Sequence, residues 1–147
     1  MNSGCVEKSE GVLIEYNLVA DADRLQFLPV AFGKRAMMRG EGLVYDWMGR
    51  LCPEYSGDFW AFYWLTNGGF YMATTATHPY LVVSQNGFEG ELSAGAAGIV
   101  ATLYALCQLA AEGEDTEGGD LMTRRYHQLR EYVGQHPEAS LIYQAID

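Results

Sequence analysis

Apolar and polar positions divide the chain into segments of distinct period. Residues 11–19, GVLIEYNLV, are β-leaning and read as an edge strand or an ordered arm. DADRLQFLPVAFGKR follows, where Asp23 suits the N-cap of a short helix and Pro29 must lie in its first turn or mark a kink. Leu43, Val44, Trp47, Met48 and Leu51 then fall on one face of a helix over 41–52 that Pro53 stops. Asn67-Gly68 and Asn86-Gly87 separate β-rich runs, the hairpin signal of a type I′ turn with positive φ at both central residues. They predict strands at 59–65, 69–74, 80–84 and 88–92 in one small antiparallel sheet.

Ser93 is placed to cap an apolar helix over 94–111, with Gly95 and Gly98 leaving room for close backbone approach. Leu121, Met122, Arg125, Tyr126, Leu129 and Val133 mark a further amphipathic helix, and Pro137 opens a last one at its first position. The fold class is therefore α+β. A small antiparallel sheet of two Asn-Gly hairpins packs with an N-terminal helical part and about three C-terminal helices. The 147 residues form one compact domain, with 1–22 as an arm of lesser order.

The run FWAFYWLTNGGFYMATT, residues 59–75, is dense in aromatics. Residues 59–65 do not alternate, so both faces of that strand need cover, as in a core hairpin between the helices at 41–52 and 94–111. A stacking platform for single-stranded nucleic acid would need interleaved cations, and residues 51–123 contain no Lys or Arg. An exposed Trp or Tyr anchoring a protein partner is the minor alternative.

Charge sharpens this picture. The net charge of −10 opposes attraction to phosphate backbones and anionic membranes, so no direct nucleic-acid or membrane binding is expected. Half of that charge sits in EGEDTEGGD, residues 112–120, which reads as a solvated connector. Arg124, Arg125 and Arg130 form the dense basic patch, placed to pair with Glu131 and with that connector. Cys5, Cys52 and Cys107 are odd in number and widely spaced, which suits free thiols in a reducing compartment, and the N-terminus lacks a secretory pattern. Residues 94–111 carry no charge, but their Ala and Gly content and acidic flanks fit a buried helix better than a membrane span.

Chemistry is sparse. His78, His127 and His136 have no metal-ligand spacing, and the Gly-rich pieces lack a phosphate-loop Lys. A nucleophile built from Cys52 or Cys107 with His127 has no supporting motif. No catalysis, metal or cofactor is expected.

FLPVAFG (27–33), MMRGEGLVYDWMGRL (37–51), FYWLTNGGFYMA (62–73), NGFEGELSAGAAGIVATLYALCQLA (86–110) and IYQAID (142–147) together resemble the ArdB/KlcA family of antirestriction proteins. The likeness runs from about residue 24 to the C-terminus; Asp58 and Thr74 depart from the family wording at loop and turn positions. The resemblance implies a small cytoplasmic protein of plasmids and other mobile elements. It would protect incoming unmodified DNA from type I restriction–modification without catalysis, by contacting the restriction enzyme or a factor assisting it. The alternative is a plasmid-maintenance or regulatory accessory that touches restriction only indirectly. Full DNA mimicry is not expected, because the carboxylates are few and clustered. The candidate contact surface is Glu112, Glu114, Asp115, Glu117 and Asp120 with the C-terminal Asp147; monomer and dimer stay open.

Overall fold

The computed structural model describes residues 13–147; residues 1–12, with Cys5 and most of the expected arm, lie outside the described residues. The elements run β1 (Tyr16–Leu18), a 3₁₀ turn (Asp21–Asp23), α1 (Arg24–Phe32), α2 (Met37–Leu51), β2 (Trp60–Leu65), β3 (Phe70–Thr74), β4 (Tyr80–Val83), β5 (Glu89–Leu92), α3 (Ala94–Glu112), α4 (Glu117–Val133) and α5 (Ala139–Ile146). This is the expected α+β class. Residues 13–18 are tied down: β1 pairs antiparallel with β2, and Ile14 exchanges hydrogen bonds with the side chain of Gln135.

The strands form two sheets instead of one. β1-β2-β3 is one antiparallel sheet and β4-β5 a separate hairpin. The reason lies at the outer edge of β3. There the Met72 N–H donates to Thr102 Oγ1 of α3 at 3.2 Å, and Thr102 donates in turn to the Gly98 carbonyl at 2.8 Å. A helix meets this edge where a fourth strand would pair. Gly98 makes the approach possible, since a β-carbon there would collide with the Met72 carbonyl and with Ala73. Gly95 meets no such neighbour, so only one of the two glycines serves this purpose.

Both hairpins close differently from the type I′ expectation. Gly68 N–H donates to Leu65 O and Gly87 N–H to Ser84 O, while positive φ falls on Gly68 and Gly87 alone. Each is thus a type I turn followed by a left-handed glycine. Asn67 and Asn86 contribute their side-chain oxygens, which accept from Gly69 N and Phe88 N.

Pro29 lies inside α1, beyond its first turn, and Asp23 occupies the N-cap position without a side-chain cap bond. Helix α2 starts four residues earlier than the pattern predicts. Gly40 looks like a breaker, yet it sits beneath the Phe32 ring with no room for a β-carbon, a packing glycine inside a helix. α5 begins two residues past Pro137.

Helix α3 is the centre of the core. Ala96, Ile99, Val100, Ala101, Leu103, Ala105 and Leu106 are fully enclosed, and Ser93 Oγ accepts from Ala96 N at its start. It is long and apolar enough to cross a membrane, but two thirds of its apolar window is covered by the fold, mainly by α2, α4 and β3. The aromatic hairpin belongs to the same core. Phe62 stacks on Phe27 at 4.6 Å, Phe70 meets Phe27 and Phe32 edge-on, and Phe59 alone of its rings is mostly exposed.

Candidate functional site

The expected acidic connector is largely helical. Glu112 is the last residue of α3, and Glu117 and Asp120 stand in the first turn of α4, which leaves only 113–116 between helices. Thr116 caps α4, its Oγ1 accepting from Gly119 N at 3.0 Å, and carboxylates in the first turn complement the positive end of the helix. The corner closes because Gly113 and Gly119 touch backbone to backbone, with no space for a side chain at Gly119. Asp115 turns the chain with a φ of 67°, the one non-glycine residue with positive φ among those described.

Glu112 is engaged. Arg39 of α2 bridges it, Nη2 to Oε2 at 2.6 Å with Nε to Oε1 at 3.2 Å, and Gln108 donates to the same carboxylate at 3.0 Å. Hydrogen bonds from Arg39 and then Gln108 hold the Glu112 carboxyl below its ordinary range. Glu114, Asp115, Glu117 and Asp120 are exposed around the same corner. Between this corner and the start of α2 lies an open groove of about 670 Å³, with Arg35 and Arg39 on one wall, Glu112 and Glu117 on the other, and Ala36, Leu109 and Met122 among its lining.

Asp147 is not part of this cluster. Its carboxylate pairs with Arg130, Nη2 to Oδ2 at 3.1 Å, near the far end of α4. Thirteen helical steps lead from Glu117 to Arg130, roughly 20 Å along the axis. The basic patch also resolves differently from expectation. Arg125 points inward and donates to the carbonyls of Ala31, Val30 and Gly68, so it locks α1 and the first hairpin to α4. The bond to Glu112 comes from Arg39, 73 positions away in sequence, for which no local signal exists.

Among the described residues no hydrogen bond joins Cys52 or Cys107 to His127. Cys52 is buried against Met48, and burial pushes its thiol up to about 12. Cys107 is exposed beside Leu103, Tyr104, Tyr126 and Ile146, and His127 stands exposed on α4 with its ring against Tyr126. Among the described residues no three His, Cys, Asp or Glu side chains are grouped as metal ligands.

A model of the antirestriction protein family matches residues 53–147, more than half of the chain. The chain belongs to the antirestriction protein family. An antirestriction protein KlcA of Escherichia coli is 57% identical over 132 residues, spanning 89% of this chain and 93% of that protein. YfjX of Escherichia coli K12 is 39% identical over 133 residues, spanning 88% of this chain and 85% of its own. A solved structure from work on KlcA and ArdB aligns with a TM-score of 0.88 at 54% identity, covering 96% of this chain and all of that one. That work describes KlcA and ArdB as a novel fold with antirestriction activity against type I DNA restriction systems in vivo but not in vitro. This antirestriction protein therefore shares both sequence and architecture with them, including the span that carries the acidic corner.

Proposed function

We propose that this chain inhibits type I restriction–modification so that incoming unmodified plasmid or phage DNA survives, by protein–protein contact and without catalysis. The observation that carries this reading is the 54% identity and 0.88 TM-score to a structure whose proteins act on type I systems in vivo. A cytoplasmic site of action follows from that role. The contact surface is the α3–α4 corner, Glu112, Glu114, Asp115, Glu117 and Asp120; Asp147 serves it only as a second, separate acidic point. Activity of the relatives in cells but not in vitro favours a partner that purified components lack, such as a factor assisting the restriction enzyme. The same observation keeps an indirect, accessory role as the second reading.

The test is the plating efficiency of unmodified phage on hosts with and without a type I system, each with and without this protein. A rise of about a hundredfold confined to the restricting host supports the function; no rise refutes it. A variant with Glu114→Gln, Asp115→Asn and Glu117→Gln should fold normally and lose protection. Full protection by that variant removes the acidic corner from the contact.

A further inference from the structure

The groove beside the acidic corner has a composition that a merely solvated turn does not require. One wall is the start of α2, Arg35-Ala36 with Arg39; the other is Glu112-Gly113 and Thr116–Gly119; Leu109 and Met122 lie beneath. Of its lining glycines, Gly113 and Gly119 close the corner against each other, while Gly118 has open space where a side chain would stand. The groove's volume of about 670 Å³ is within the range of occupied binding sites and is far more than one side chain fills.

Charge selects the occupant. Glu112, Glu114, Asp115, Glu117 and Asp120 outnumber Arg35 and Arg39 at this place, and Arg39 is already neutralised by Glu112. The groove's own charged lining is balanced, Arg35 and Arg39 against Glu112 and Glu117; the excess negative charge comes from the exposed Glu114, Asp115 and Asp120 of the corner beside it, a field that attracts cations and repels phosphate. We propose that the groove is a docking slot for a protein partner's segment in which an apolar side chain is flanked by lysine or arginine. The apolar group enters between Ala36 and Met122, and the flanking cation meets Glu117 and the exposed carboxylates of the corner. This rests on the antirestriction reading above and adds to it the chemistry of the partner and the slot that receives it.

Gly118 allows a direct test. A β-carbon there meets only Thr116 Oγ1, at 3.7 Å, so Gly118→Tyr fills the groove mouth without displacing the fold. Gly49→Tyr is the matched control, because nothing lies within 4 Å of a β-carbon at Gly49 on α2. Both variants, the exposed Arg35→Glu and the charge-neutralised corner are compared for thermal midpoint and for phage protection in the restricting host. The expected result is a loss of about tenfold or more with Gly118→Tyr, as when one anchor of an interface is blocked, and none with Gly49→Tyr. Arg35→Glu should raise protection, since it makes the slot more negative without adding bulk. Full protection by Gly118→Tyr overturns the slot, and loss with Arg35→Glu at unchanged stability overturns the basic occupant. Loss with Gly118→Tyr while the neutralised corner still protects means that only an apolar slot stands, and that the basic flank of its occupant fails together with the acidic-contact reading. The reverse pattern leaves the acidic contact and removes the slot.

Discussion

Gly98 of α3 lies directly against the carbonyl of Met72 in β3, nearer than any other side chain would permit. The contact sets the spacing between the central helix and the sheet and keeps β4 from pairing with β3. Gly98→Ala must push the helix away from an edge that Thr102 also binds. The expected cost is about 2 kcal/mol or more, as for overpacking a tight core, read as a lower urea midpoint with an unchanged m-value. An unchanged midpoint means the helix slides freely on the sheet.

Arg125 joins three elements through one guanidinium, and burial pulls its pKa down from the ordinary arginine range while leaving it charged. Arg125→Lys keeps the charge but cannot span three carbonyls in a fork. It is expected to lose about 2 kcal/mol of stability, with Arg125→Met losing at least as much, in chemical denaturation. Amide exchange should rise first in the 66–69 turn, where Gly68 loses its donor.

His136 titrates against the fold. Its ring is half-buried and Nδ1 accepts from Glu138 N at 3.0 Å, so protonation removes an acceptor at the α4–α5 junction. Burial lowers its pKa below the ordinary 6.5, with Glu138 opposing in part. The unfolded chain therefore takes up its proton first as pH falls. Stability is full above the unfolded value, declines as pH drops through about 6.5, and levels below the folded pKa. The thermal midpoint between pH 7.5 and 5.5 should fall in the wild type and stay flatter in His136→Asn; parallel curves would contradict the assignment.

Asp115 holds a left-handed backbone that glycine adopts without strain. Asp115→Gly is expected to stabilise by up to about 1 kcal/mol while deleting one corner carboxylate. Combined with a protection assay, this single change separates charge from folding: a more stable protein that protects less points to the carboxylate itself.

The α+β class, the positions of five helices and four of the five strands, the Ser93 cap and the core role of the aromatic hairpin follow from local pattern. Periodicity, asparagine–glycine pairs and prolines act over a few residues, which is why they are readable. The errors share another origin. Gly40 and Gly119 look like breaks until Phe32 and Gly113 are brought against them, and EGEDTEGGD looks like a loop until Thr116 starts a helix within it. The division into two sheets depends on Thr102 meeting Met72 across thirty positions, and the state of Glu112 on Arg39 across 73. Sequence alone determined which segments become helix or strand and that negative charge gathers at one place. Only the packed chain decided which carboxylates are engaged, which stand free beside an open groove, and that Asp147 lies apart. Those are properties of distance between remote residues, and distance is set by the core.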